Sequence, residues 1–580
     1  MKIKLLLITA LVACFGASVQ AQSETYFAEG GICYGVLPGT GSSVEVAPYY
    51  YALSQDYSGN VVIPDSVTHD GTTYTVTRLA NEAFAYSSLS SVSLPSTLNS
   101  IGDLCFLYTT GITTLHLPSA VQYIGEYALC ASNLAGITVD SVNPYFCSIG
   151  GRLYSKDSSI LWVVPCATTG SLSIPSFVLH IQNAACFNCQ ITSVVLPAGL
   201  RSIGRRAFGG TRISNITIPA SVVQISGSPF QGCTALTGIT IAEGNTHYVA
   251  DGTLIYSAAR DTLISAHRSN DSVILPSTLK VLGGFASNKL IKYVKIPESV
   301  TVILEGAFFS CTFTKITLPH RLHLIGEGAF AYNSNLVRIT MPEILDSMGN
   351  AAFAWCTKLN TINIPDSLRV IPTEAFNSCP ALRTINWGNQ VEEIGNAAFW
   401  AVPVTNLVLP PTLRKMGDYV FSGCTSSLHS VTFTGVLDSI GEQVFEGANL
   451  RRIKFVNDIP PATRGVGCLN NVANVDSIII ACGSTENYTS DSYWSAFASK
   501  YHEDCNSINE TNTSAAVVTT DKLTVLVYNA ETLPITIYDI MGHRLYDEEG
   551  NGDNMRRFQM PSTGVYIVKT GNISHKVVVK

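Results

Sequence analysis

One unit of 22 to 24 residues recurs along most of this chain, and nothing else in the sequence restricts the fold as strongly. A phenylalanine returns at Phe308, Phe330, Phe353, Phe376, Phe399, Phe421 and Phe445, in steps of 22 to 24 residues. Earlier copies carry Phe84, Phe106, Leu129, Phe187, Phe208 and Phe230 at that position. In most copies a proline stands 11 residues before it, as at Pro95, Pro219, Pro297, Pro319, Pro342, Pro365 and Pro410. Up to that proline the unit reads L-x-x-I-x-I-P, where apolar and polar residues alternate as in a half-buried strand. Proline ends the strand because it has no N–H to give to a ladder. A second apolar pair, such as Leu322 and Ile325, returns the chain to the core. Gly326 is expected to permit the tight corner that follows, and Ala-Phe then adds a small residue and a bulky plug. One copy cannot bury its own apolar face, so copies must stack. About 15 stacked coils, each rising ~4.8 Å, make a curved rod on the order of 70 Å long.

Over residues 61 to 455 this pattern resembles the BspA-like leucine-rich repeats of surface proteins from Bacteroidetes and other host-associated microbes. The resemblance implies a leucine-rich repeat solenoid, an α/β superhelix that is rich in parallel β-structure with short helical turns. It also implies adhesion to host or microbial macromolecules. Because proline follows the strand and no asparagine ladder is evident, short strands and single helical turns are expected in place of long convex helices.

The period breaks at defined places. Residues 1–21 read as a signal peptide: Lys2 and Lys4 precede the apolar Leu5 to Val12, and Val19-Gln20-Ala21 suits cleavage after Ala21. Leu11-Val12-Ala13-Cys14 also fits a lipobox. Either route places the chain outside the cytoplasm, secreted or on the outer-membrane surface. Residues 22–60 read as an N-terminal β cap, 61–460 as the solenoid, 461–505 as a helical C-terminal cap holding Tyr493, Trp494 and Phe497, and 506–516 as a linker. Inserts near 143–165 and 245–266 share Gly151-Arg152-Leu153-Tyr154-Ser155 and Gly252-Thr253-Leu254-Ile255-Tyr256-Ser257, and each is expected to be a hairpin projecting from one edge. Residues 517–580 alternate as strands and read as a small Ig-like β-sandwich. There, Ile537-Tyr538-Asp539, Met541-Gly542, Gly564-Val565-Tyr566 and a basic-ended last strand resemble the type A C-terminal sorting domain of the Bacteroidetes type IX secretion system. That resemblance implies secretion machinery as a partner.

Composition narrows function. Only 13% of residues are charged and the net charge is −7, so bulk charge offers no reason to expect nucleic acid as a partner. No run of about 18 apolar residues marks a transmembrane helix. The repeat explains most of the 16 cysteines: Cys233, Cys311, Cys356, Cys379 and Cys424 all sit three residues after the plug. Consecutive coils bring Cys356 and Cys379 into disulfide range, and one bond is expected among Cys468, Cys482 and Cys505 off the repeat. Motifs for a serine hydrolase, a zinc protease or a phosphate loop are missing, so no enzyme, metal or cofactor is expected.

Strand alternation names the outward side chains: the two residues before the middle isoleucine and the one after it. From Leu89 to Ile218 these are uncharged or His116. From Ile291 onward they include Lys292, Tyr293, Lys295, Lys315, Arg338, Arg383, Arg451, Arg452 and Lys454, with Asp271 the one acid. A basic C-terminal half on a concave sheet is therefore expected to hold an acidic protein segment or a sulfated or sialylated glycan, in a chain expected to be monomeric. A glycan-binding module of a surface polysaccharide system is the alternative; Tyr293 alone supplies an aromatic on that face.

Deleting residues 515–580 is expected to strand the protein in the periplasm. Fractionation and immunoblotting check this; normal amounts of truncated protein at the surface or in the medium would remove the sorting assignment.

Overall fold

Alternation along L-x-x-I-x-I-P becomes one short strand per coil, for example Lys315–Thr317, Arg338–Thr340, Asn406–Leu409, Ser430–Phe433 and Arg452–Phe455. Each pairs in parallel with the strand one coil away, with Ile316 opposite Ile339 and Val431 opposite Ile453. This row is the broad sheet, a series of parallel ladders: among the described residues Tyr293–Lys295, Arg338–Thr340 and Thr384–Asn386 each end one, without ladder pairing to the next strand. A second row of two-residue strands, such as Val302–Ile303, Leu324–Ile325 and Ser347–Met348, forms a narrow parallel sheet. A third row consists of turns that carry Ala-Phe. The computed structural model describes residues 25–505 and 517–579 apart from 54–55, 131–132, 267–271, 287–292, 425–427, 462, 466–467, 470–474, 522, 529–533, 550–554 and 571–572. The expected signal peptide and linker, with Lys292 and Asp271, lie outside the described residues. The three rows make a parallel β-solenoid of about 17 turns.

The turn column carries the plugs. Phe285, Phe308, Phe330, Phe353, Phe376, Phe399, Phe421 and Phe445 form an unbroken stack with centroid spacings of 5.1 to 6.0 Å. The backbone beside them is not helical, contrary to the single helical turns expected. The N–H of Ala354 donates to the carbonyl of Ala351 and that of Cys356 to Phe353, so turns overlap. Residues two before and two after the plug are left-handed: Ala351 and Trp355 have φ of 52° and 61°, Glu374 and Ser378 57° and 55°. Such angles cost a non-glycine residue about 1–2 kcal/mol. They persist because they turn alternate N–H groups along the solenoid axis: Phe330 donates to Ala352, Phe353 to Ala375 and Phe376 to Ala398, each at 2.8 Å.

Two details differ from expectation. Gly326 has an ordinary φ; a Cβ there would lie 2.5 Å from the Glu305 nitrogen of the preceding coil, so the glycine is required by inter-coil approach and not by a tight corner. A partial Asx ladder exists after that corner. Asn81 Oδ1 accepts from the N–H of Asp103, whose Oδ1 accepts from Glu126; Asn396 and Asp418 repeat this toward Glu442. Cys356 and Cys379 are free thiols. They donate to the carbonyls of Phe330 and Phe353 at 3.2 and 3.3 Å, as Asn333 does to Phe308, so the third position after these plugs is a buried donor and the two thiols remain unbonded to each other. Of Cys468, Cys482 and Cys505, the last two are disulfide-bonded.

The inserts do not project. Phe146–Ile149, Arg152–Ser155 and Ile160–Val163 form an antiparallel meander whose third strand joins the narrow sheet in parallel with His180–Ile181. Tyr248–Asp251, Leu254–Ser257 and Thr262–Ala266 repeat it. Tyr26–Glu29, Ile32–Val36 and Ser43–Val46 at the N-terminus have the same order. Each insert lies across the solenoid: Leu153 packs into the core before it and Tyr154 into the core after it, and Ile255 and Tyr256 divide likewise. Strand alternation thus makes the insert a wall with two apolar faces. Three separate cores result, from Phe27 to Leu153, Tyr154 to Ile255 and Tyr256 to Trp494.

Each insert coil has a shortened turn with a small residue, Val164 or Ala266, in place of the aromatic plug, which thins the turn column there. Arg205 bonds Glu126 behind one gap at 2.8 Å and Glu305 beyond the other. Arg205 and Glu305 follow narrow-sheet strands four coil steps apart, about 19 Å at the usual strand spacing, more than the two side chains span. The coils therefore close toward the turn column in this stretch. Its inner side is the turn column, and the expectation of a concave broad sheet is corrected there.

Both sheets continue past residue 460, through Thr463–Arg464 and Ser477–Ala481, before the helices Thr485–Thr489 and Trp494–Lys500. The solenoid is one coil longer than its sequence period. A second unit, 504–580, has its own core of Val525, Val527, Ile535, Ile537, Phe558 and Val568 between antiparallel sheets of three and four strands. No described helix is long and apolar enough to cross a membrane.

Phe376 is fully buried in its stack, so Phe376→Ala is expected to cost about 3–5 kcal/mol. The walls predict where: amide hydrogen exchange should quicken beyond Tyr256 first, with residues 27–255 still protected. Uniform loss, or unchanged melting, would contradict the segmented stack.

Candidate functional site

The outward positions of the broad sheet hold the candidate residues. Tyr293, Lys315 and Arg338 occupy the same strand position on three successive coils, and Lys295 lies one turn of the alternation away from Tyr293. All four are exposed, while Val294, Ile316 and Ile339 between them are buried. Lys315 and Arg338 are direct partners in the parallel register. Arg383, also exposed, follows two coils later, and Arg452 three coils beyond that. Seven coil steps from Tyr293 to Arg452 give a strip about 34 Å long.

The structure divides the expected residues into two groups. Lys295, Lys315, Arg338, Arg383 and Arg452 have no hydrogen-bond or ion-pair partner among the described residues. Arg451 instead faces Asp476 on the next coil at 3.7 Å. Lys454 is half-buried and engaged with a neighbour. The sequence reading missed Asp476 because it lies in the extra coil, beyond the point where the period fades. Lys292 falls outside the described residues.

Charge on the narrow sheet behaves differently. Arg414 holds Asp438 through Nε and Nη2 at 2.8 and 2.9 Å, and Arg369 pairs with Glu392 one coil away. Arg369 and Arg414 on that row are neutralised within the molecule, while Arg201, Lys280, Arg321 and Lys415 there are not; the five basic residues of the broad strip likewise have no ion-pair partner among the described residues. No acid stands at an outward strand position of the broad sheet between Tyr293 and Phe455 among the described residues. Like charges in direct register cost a sheet stability, so the Lys315–Arg338 pair has no structural benefit to explain it. The strip offers ammonium and guanidinium donors and lacks a nucleophile–base pair; its chemistry is anion recognition.

A family model described as the BspA type leucine rich repeat region matches residues 66–160, 165–262, 281–404, 346–464 and 392–520. Among solved structures, a leucine-rich cell surface protein from Faecalibacterium prausnitzii is 26% identical over 63% of this chain and 96% of its own, with a TM-score of 0.36. A leucine-rich repeat protein from Bacteroides ovatus is 22% identical over 79% of this chain and 96% of its own, TM-score 0.34. The pneumococcal vaccine antigen PcpA is 16% identical over 83% of this chain and 98% of its own, TM-score 0.27. No curated protein matches.

Lys315→Glu places a carboxylate opposite Arg338 and turns a repulsive pair into an attractive one. It is expected to stabilise the solenoid by about 0.2–1 kcal/mol, read as a rise in melting temperature at low salt. A lower melting temperature would mean that Lys315 and Arg338 are not registered as described.

Proposed function

This chain belongs to the BspA-type leucine-rich repeat family, and from that membership we propose that it is an exported, surface-exposed protein whose basic strip binds an acidic macromolecule. The observation that carries the reading is the set of five unpaired cations on one sheet face, two of them in direct like-charge register, in a chain of net charge −7. Sites kept at a cost to stability are the ordinary mark of function. A parallel sheet supplies rigid spacing, so cations one coil apart match anions repeated along an extended partner. An acidic protein segment or a sulfated glycan has that spacing of charge. Export through the N-terminal segment, with the C-terminal unit addressing the chain to a secretion machinery, belongs to the same reading.

Charge reversal tests it. Lys295, Lys315, Arg338 and Arg383 are reversed together and compared with reversal of the narrow-sheet side basics Arg201, Lys280, Arg321 and Lys415, which are also exposed. Poly-glutamate and heparin serve as probes in titrations over a range of salt. Strip reversal is expected to abolish binding and the control to leave it largely intact. Binding should also fall steeply with salt, because exposed charges are screened beyond about 8 Å at physiological ionic strength. Equal effects of the two reversals, or binding indifferent to salt, would remove the strip as the site.

A further inference from the structure

The first gap in the turn column encloses a cavity of about 250 Å³. Leu129 and the buried Cys186 hold the plug position on either side, 57 residues apart where the period is 22 to 24; Phe187, which the sequence placed there, is half-buried outside the core and packs on Tyr127. The wall's third strand, Ile160–Val163, spans the gap and brings Trp162 to its lining. Trp162 is half-buried, with its ring set edge-on to Phe146 at 5.3 Å. Tyr123 and Tyr127 line the same cavity.

Polar groups converge on these rings. Glu126 Oε2 accepts from Arg205 at 2.8 Å, whereas its Oε1 is buried and has no partner. A buried acceptor without a partner is costly, the more so when charged, so a bound donor there would be favourable. Asn183 uses its Oδ1 to accept from the N–H of Arg205, and no described group receives its amide protons. The side-chain amide of Gln182, half-buried on the same lining, has no partner among the described residues. The second gap differs: Arg206 packs across it against Phe309 and bonds Gln231, and its lining has no tryptophan or tyrosine.

We propose that the first gap is a binding site for a single neutral pyranose residue, through its C–H face on Trp162 and its hydroxyls on Glu126, Gln182 and Asn183. The volume lies below the roughly 300–1,000 Å³ of drug-sized pockets, which suits one ring. Carboxylate, amide and indole side by side match a ligand with one apolar face and a rim of hydroxyl groups. Two nearby carboxylates, Asp103 and Glu126, oppose an anion. The site lies on the turn column, apart from the basic strip, and goes beyond the proposed function above.

Titration of the full chain with galactose, glucose, N-acetylglucosamine and fucose, followed by saturation-transfer NMR and tryptophan fluorescence, tests this. At least one sugar is expected to bind saturably with Kd on the order of 1 mM, as suits a small, partly exposed ring. Trp162→Phe and Gln182→Ala, each with unchanged melting temperature, are expected to weaken it by about tenfold. The response should not depend on salt, which separates it from binding on the strip. No saturable response to any of the four sugars, undiminished binding in both variants, or a response that fades with salt would overturn the proposal.

Discussion

Consecutive coils approach so closely at the corner glycine that no Cβ fits. At Gly326, Gly349, Gly395 and Gly441 the nearest backbone atom of the preceding coil would stand 2.3 to 2.6 Å from it. Gln182, Ser226 and Pro372 hold the same corner in other coils, so it is the backbone hydrogen bonding between coils that sets the spacing at which everything else must register. Plugs can stack face to face only if every coil has the same rise. The left-handed residues of the turn column are tolerated only because their N–H groups then meet carbonyls of the next coil. Cysteine, asparagine or threonine after the plug reaches the plug carbonyl of the coil before it for the same reason.

The walls modify this one-dimensional design. A repeat array must be closed at its ends by elements with one apolar and one polar face. The inserts have two apolar faces, so they close one core and open the next without breaking the array. They also shorten the turn and put Val164 or Ala266 where other coils have an aromatic plug. The gaps this leaves are bridged by long side chains, Arg205 and Arg206 above all, and they are where cavities form on an otherwise filled column. A device that divides the core thereby also creates concave sites, which stacked identical coils cannot provide.

Charge is distributed by row. On the narrow sheet, opposite charges one coil apart pair. On the turn column, acids such as Glu82, Asp103 and Glu126 are largely buried, and burial raises their protonation; Glu82 is pushed up to about 8. On the broad sheet the basic residues face solvent unpaired. A partner of opposite sign therefore meets basic side chains in direct register at Lys315 and Arg338 on the broad sheet, although the chain as a whole is acidic.

The period of the plug and the alternation before the proline determined, from sequence alone, the solenoid, its parallel strands, its buried residues and the outward set that includes Lys315, Arg338 and Arg383. These are local properties: strand alternation assigns faces without knowledge of any partner. Tertiary structure decided what depends on the neighbouring coil. The glycine is needed for approach, not for φ; Cys356 and Cys379 serve carbonyls, not each other; the inserts lie across the core; and Arg451 is neutralised by an Asp476 that the fading period had concealed. Between Glu126 and Glu305 it also drew the coils together on the turn column, where the insert coils have shortened turns. Trp162 and Glu126, 36 residues apart, share one cavity because the shortened turn at Val164 brings together coils whose sequences carry no sign of each other.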